Sequence, residues 1–158
     1  MPGRFSVAVN GCFNGSSVSA EAFFGQYTLG GYWEAGLLAN DYGWPLSVSG
    51  RLQYDQLAVA GGYQFRLAAT RDRAINLYGG GGVFAGLEFV DPFRSLPEYY
   101  VLPIDSQAFL YGLYVKTTAE FFIGRCFAFV LEASLPLAFS SQLSMINYAV
   151  GGGIKLIL

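Results

Sequence analysis

Apolar and polar residues alternate with period two along most of the chain. Between Gln107 and Phe121, one face carries Phe109, Tyr111, Leu113, Val115, Ala119 and Phe121, and the other Gly112, Tyr114, Lys116, Thr118 and Glu120. Period two is the signature of a strand whose two faces meet different surroundings. The next segment repeats the division. Phe127, Phe129, Leu131, Ala133, Leu135 and Leu137 oppose Cys126, Ala128, Val130, Glu132 and Ser134. The intervening IGRC is short and puts Gly124 where a hairpin turn wants it. Pro136 has no N–H to give to a ladder, so regular pairing is expected to end near it.

The stretch LYGGGGVFAGLEF fits the same rule. Ile75, Leu77, Gly79, Gly81, Val83, Ala85, Leu87 and Phe89 share one face; Asn76, Tyr78, Gly80, Gly82, Phe84, Gly86 and Glu88 share the other. Gly80, Gly82 and Ala85 match a loose G-x-G-x-x-A, but a dinucleotide fingerprint needs a helix to begin there. GLEFVDPF instead reads as strand and then turn. Glycines in a strand permit sharp bending or make room for bulky neighbours. Elsewhere, Phe5 to Phe13, Trp33 to Ala39, Leu57 to Leu67 and Tyr148 to Leu158 alternate clearly, while Val18 to Thr28 is blurred. Turns are expected at NGSS (Asn14 to Ser17), at Leu29 to Gly31 and at ATRDR (Ala69 to Arg73). DYGWP (Asp41 to Pro45) is expected to end a strand.

This gives about eight strands of roughly 9–15 residues, longer than the 5–6 typical of soluble sheets. A strand tilted through a bilayer needs about 9–11 residues. The fold expected is all-β: a single antiparallel up-and-down barrel over residues 1–158. One longer linker, Val90 to Ser106, carries three prolines and four charges and reads as an exposed loop. Its length and aromatic residues nominate Phe93, Arg94, Glu98, Tyr99 and Tyr100 as a partner-contact surface.

Composition bears on which face is outside. The chain is 53% hydrophobic and 13% charged, with 21 glycines, whereas soluble domains carry roughly 25% charge. The polar faces are rich in glycine and alanine and hold single charges, which suits a crowded interior better than a wet surface. An apolar face turned to lipid follows, with Arg4, Glu34, Arg66, Glu88, Lys116, Glu120, Glu132 and Lys155 pointing inward. Four cations against four carboxylates suit a paired, structural network, since buried charges need partners. A gate or binding site made from the same charges is the alternative. Tyr32, Trp33, Trp44, Tyr99, Tyr100 and Tyr148 lie near strand ends, as in an interfacial girdle.

The chain has no histidine, so no Ser–His–Asp triad or histidine-ligated zinc site exists. Cys12 and Cys126 are too few for a four-thiolate site or a disulfide framework, and whether they pair stays open. No catalytic residue, metal or cofactor is assigned. The net charge of −2 and the lack of a basic run argue against nucleic-acid contact. No apolar run has the length of a transmembrane helix, and MPGRFSVAVNG shows no signal-peptide pattern.

From Gly30 to Leu158 the chain resembles the conjugative transposon TraO family. The residues that carry this are GYWEAGLLANDYGW, LAVAGGYQFRLAATRDRAINLYGGGGVFAGLEF, FLYGLYVKTTAEFFIGRCFAFVLEA and YAVGGGIKLIL. The resemblance implies export to the outer membrane of a Gram-negative bacterium. The role implied is that of a non-enzymatic component of a type IV secretion-like DNA-transfer apparatus, with outer-membrane lipid and other apparatus proteins as partners. Three readings stay beside it: a general small outer-membrane barrel that binds lipid or an apolar ligand, a soluble lipocalin-like barrel, and a lipid-modifying membrane enzyme. The missing histidine weighs against the last.

Overall fold

A computed structural model describes residues 2–13, 18–46, 50–90, 107–141 and 146–158. Eight strands follow in chain order: β1 (Phe5–Phe13), β2 (Val18–Tyr27), β3 (Gly31–Leu46), β4 (Gly50–Ala69), β5 (Ile75–Val90), β6 (Gln107–Ile123), β7 (Phe127–Ala138) and β8 (Ala149–Ile157). Each pairs antiparallel with its neighbours, and β8 returns to β1, so the sheet closes into an up-and-down barrel with no free edge. Closure matters in hydrocarbon, where an unpaired strand edge has nothing to bond.

The alternation read from the sequence becomes an inside and an outside. In β6 and β7 the even-numbered positions are buried along most of their length, and the odd ones face out. Phe24, Trp33, Val59, Phe109 and Phe129 are all more than half exposed, each an apolar residue on the outer surface. That surface excludes the soluble barrel, which would bury these rows. Aromatic residues gather at both ends of the outer band. At one end Trp33, Tyr63 and Phe65 pack edge to face with centroids 4.8 Å apart; at the other Tyr111 lies beside Phe109 and Phe139. Such pairs of belts mark where a barrel leaves the hydrocarbon. Tyr148 is exposed, whereas Tyr32, expected in a girdle, is buried inside at 2% exposure.

Both termini and three connections of three to five residues, at 28–30, 70–74 and 124–126, lie at one end, here the turn end. Gly124 takes φ +73°, as its hairpin requires. The opposite, loop end receives the other connections. Two boundaries differ from expectation. DYGWP does not end β3: pairing with β4 continues through it to Leu46 opposite Gly50. Pro136 stays in β7 opposite Tyr114. Only the ladder to β8 stops before it, at Ser134, on the side where a residue without an N–H is tolerated. β2 is regular although it looked blurred, because Phe23 and Phe24 are adjacent apolar residues on opposite faces. The glycine run is continuous strand between β4 and β6, and the strand runs on to Val90 where a dinucleotide fingerprint needs a helix to begin, which removes the nucleotide reading.

The wall is uneven in height. β1 and β8 have 9 residues, β4 has 20, and β3, β5 and β6 have 16 or 17. At about 3.4 Å per residue and a tilt near 40°, these heights are roughly 23 Å and 52 Å. The short side matches an apolar band of about 25 Å. The tall side extends past it at the loop end.

Candidate functional site: a packed, charged barrel interior

The interior is filled by side chains in layers. Nearest the turn end, Tyr27, Tyr32 and Tyr78 pack with centroids 5.5 and 4.9 Å apart, against Ile157 and Phe122. Above them Lys155 bonds Glu120 and lies 3.9 Å over the Tyr32 ring. The Tyr27 hydroxyl donates to the other Glu120 oxygen at 2.9 Å. The middle layer centres on Lys116. Its Nζ is 3.0 Å from Glu34 and 3.8 Å from Glu132, and it stands 3.9 Å over the Phe23 ring. Gln64 Nε2 and the Tyr114 hydroxyl donate to Glu34 Oε1 at 2.8 and 2.9 Å. Glycine makes room for these long groups: a Cβ at Gly62 would lie 2.5 Å from the Tyr114 hydroxyl. Toward the loop end, Glu88 accepts from Gln56 and Ser141, both at 2.8 Å. An apolar layer of Phe23, Leu38, Ala58, Phe84, Leu110 and Ala138 lies around it.

Six of the eight nominated interior charges, Glu34, Glu88, Lys116, Glu120, Glu132 and Lys155, are buried inside. Arg4 and Arg66 are corrections. Arg66 has the inward phase but lies past the last interior layer, where the strand bulges between Arg66 and Ala68. It is exposed and donates to the Leu29 carbonyl. Arg4 precedes β1 and donates to the carbonyls of Leu158 and Arg125, across the β1–β8 seam. With Arg71, Arg73 and Arg125, these arginines form a collar at the turn end. A guanidinium there stays hydrated and needs no buried carboxylate.

One interior charge escaped the sequence reading. Glu21 is 7% exposed and faces inward from β2. Its parity with Ser19, Phe23 and Tyr27 was the available signal. Among the described residues the interior therefore holds five carboxylates (Glu21, Glu34, Glu88, Glu120 and Glu132) against two ammonium groups, not four against four. Phe93, Arg94, Glu98, Tyr99 and Tyr100 lie outside the described residues. Cys12 and Cys126 are both free, Cys12 buried and Cys126 exposed in the β6–β7 turn. Cys12 sits beside Gly151 of β8 and Cys126 bonds to Ile157. Six strand residues separate those positions, about 20 Å, far beyond the roughly 7 Å limit for a disulfide.

A vestibule at the loop end is lined by Phe23, Leu38, Phe84, Leu110 and Ala138, with Glu21 and Lys116 also on its wall, and encloses about 30 Å³. Small-molecule pockets run to roughly 300–1,000 Å³. The turn-end mouth, between Tyr27, Arg66, Arg73 and Tyr78, encloses about 170 Å³ and is floored by the tyrosine layer.

Apolar exterior, two aromatic belts, short turns at one end and a charged, filled interior define a small outer-membrane-type β-barrel. Solved structures show the same fold. The Pseudomonas aeruginosa outer membrane protein OprG superimposes with a TM-score of 0.64 at 11% identity, covering 99% of this chain and 96% of that one. The N-terminal barrel domain of P. aeruginosa OprF gives 0.59 at 9% identity, covering 99% and 98%. Neisserial surface protein A gives 0.59 at 11% identity, covering 97% and 94%. No curated protein matches the sequence. Residues 31–158 match the family model described as conjugative transposon protein TraO, and the chain belongs to that family.

Proposed function

We propose that this barrel is a non-enzymatic anchor in the outer membrane of a Gram-negative bacterium, holding part of a conjugative DNA-transfer apparatus through its loop-end surface. The observation that carries this reading is the filled interior. Lys116 and Lys155 are locked to carboxylates over aromatic rings, and three tyrosines pack across the turn end. An eight-stranded barrel filled in this way has no bore for a nucleic-acid strand or a folded protein. Work is left to its lipid-facing wall and its ends. The tall β3–β6 side and the 91–106 segment that joins β5 to β6 both belong to the loop end. Phe93, Arg94, Glu98, Tyr99 and Tyr100 are the residues we assign to partner contact there, on the strength of their sequence.

Family membership supports the conjugative role, and the resemblance to outer-membrane barrels supports the location. A donor strain lacking the gene is expected to lose transfer of the element by orders of magnitude, with growth unchanged. Complementation with a chain whose 91–106 segment is replaced by a short Gly-Ser turn is expected to restore the barrel in outer-membrane fractions but not transfer. Normal transfer from the deletion strain would refute the role. Normal transfer with the shortened segment would refute only the contact assignment.

A further inference from the structure

The charges outside the packed interior divide by end. Arg4, Arg66, Arg71, Arg73 and Arg125 ring the turn end, and Asp72 is the one exposed side-chain carboxylate beside them among the described residues. The exposed charges described toward the loop end, Asp41 and Asp55, have the opposite sign. None of the five arginines is paired with a side-chain carboxylate among the described residues. Arg4 and Arg66 donate to main-chain carbonyls, and Asp72 is taken up by Thr70 and Ala74 of its own turn. Guanidinium groups in this state keep free N–H forks of the kind that grip a carboxylate through two parallel bonds.

Two of the five share a concave site. Arg66 and Arg73 line the turn-end mouth of about 170 Å³, with Thr28 and Leu29 at its rim and Tyr27 and Tyr78 in its floor. Two observations set this mouth apart from a merely hydrated arginine surface. Arg73 has φ +57° and is the one described non-glycine residue in the left-handed region. A residue with a β-carbon is disfavoured there, and glycine would close the same turn at less cost. What arginine adds is its side chain, which stands at the mouth. The second observation is Leu29, 81% exposed in the β2–β3 connection and the most exposed of the large apolar residues described. It stands beside the arginines, past the Trp33 and Tyr63 belt, where no hydrocarbon covers it.

We propose that the turn-end mouth docks an acidic protein segment, with one carboxylate between Arg66 and Arg73 and an apolar neighbour on Leu29. The site goes beyond the anchoring role and lies at the opposite end from the 91–106 segment. The geometry favours a peptide over two other polyanions. Arg66 has the inward phase, so the mouth opens along the barrel axis, away from the outer wall on which lipid chains lie. A linear segment reaches it directly. A nucleic-acid strand is held by bases stacked on open aromatic faces, whereas Tyr27 and Tyr78 are buried against Tyr32.

The test uses the full chain in zwitterionic detergent micelles and a rhodamine-labelled short peptide of alternating glutamate and leucine, followed by fluorescence anisotropy. Folding of each variant is checked by heat-modifiable gel migration. Saturable binding is expected, weakened several-fold as salt rises from about 0.02 to about 0.3 M, because exposed charges are then screened. Arg66→Gln and Arg73→Gln are each expected to weaken it about 3–5-fold, the upper range for a solvent-exposed ion pair. Arg71→Gln, on the same turn but outside the mouth, is expected to weaken it by no more than about 1.5-fold, and Asp41→Asn to leave it unchanged. Leu29→Ser is expected to remove the preference for this peptide over one of alternating glutamate and glycine. Absence of saturable, salt-sensitive binding by the folded chain overturns the proposal. So does equal weakening by Arg71→Gln and Arg73→Gln, the mark of a diffuse field without a site. Tighter binding of a single-stranded oligonucleotide of equal charge, or displacement of the peptide by phosphatidylglycerol doped into the micelles, overturns the choice of a protein partner.

Discussion

Replacing Lys116 with methionine keeps the length and apolar stem of the side chain and removes its charge. At an effective dielectric of about 20, the 3.0 Å contact with Glu34 and the 3.8 Å contact with Glu132 correspond to roughly 5.5 and 4.4 kcal/mol of attraction. Desolvation of the buried ammonium cancels much of this, but the carboxylates left behind stay buried. The expected loss is therefore about 3–5 kcal/mol, as for other buried pairs broken from one side. Glu132→Gln is expected to behave differently. Lys116 keeps Glu34, and one carboxylate of an excess is removed, so the cost is expected to stay below about 1 kcal/mol. The assay is urea unfolding in micelles or bilayers, followed by tryptophan fluorescence and by gel migration. With a slope near 3 kcal/mol per M, Lys116→Met is expected to lower the midpoint by about 1–2 M. Adding Glu34→Gln to Lys116→Met is expected to recover part of that loss. Equal midpoint shifts for Lys116→Met and Glu132→Gln would refute the assignment of Lys116 as the scarce charge of the interior.

The glycine run gives a second expectation. A Cβ at Gly82 would meet the Gly61 carbonyl oxygen at 2.1 Å and its neighbour's Cα at 2.6 Å, so Gly82→Val is expected to leave no heat-modifiable folded species on refolding into detergent. In the β4–β5 turn, the Thr70 hydroxyl and the Ala74 N–H both donate to Asp72 Oδ1, at 2.6 and 3.2 Å. They hold the carboxyl below its ordinary value. The support it gives the turn is present above the unfolded-state value near 3.9 and is lost as pH falls through the lower folded-state value. An NMR titration is expected to show the Asp72 midpoint below 3.9, rising part of the way back in Thr70→Val, where the Ala74 N–H still donates. Finally, Cys126 is expected to react quickly with a water-soluble maleimide and Cys12 only after unfolding, with no intramolecular disulfide on an oxidising diagonal gel.

Much of the fold was legible because a barrel wall obeys one short-range rule. Phe109 to Phe121 and Phe127 to Leu137 declare their faces by parity alone, and pairing of each strand with the next in sequence does the rest. The interior was less legible, because parity gives direction but not depth. Arg66 has the same phase as Gln64, yet one lies in the packed layer and the other in water beyond it. Glu21 was hidden by the Phe23–Phe24 pair, which blurs the alternation of β2. The run through Asp41 to Pro45 looked like punctuation, but the long partner strand β4 pairs with it regardless. The meeting of Cys12 with Glu132, 120 residues apart, depends on a glycine in a third strand, and no local pattern announces it.

The uneven height of the wall gives the molecule a front and a back. A barrel of level rim can spin about the membrane normal without any neighbour noticing. Here β3, β5 and β6 stand roughly 20 Å taller than β1 and β8, and β4 roughly 30 Å taller, so a protein that grips the tall side also fixes the compass bearing of the barrel.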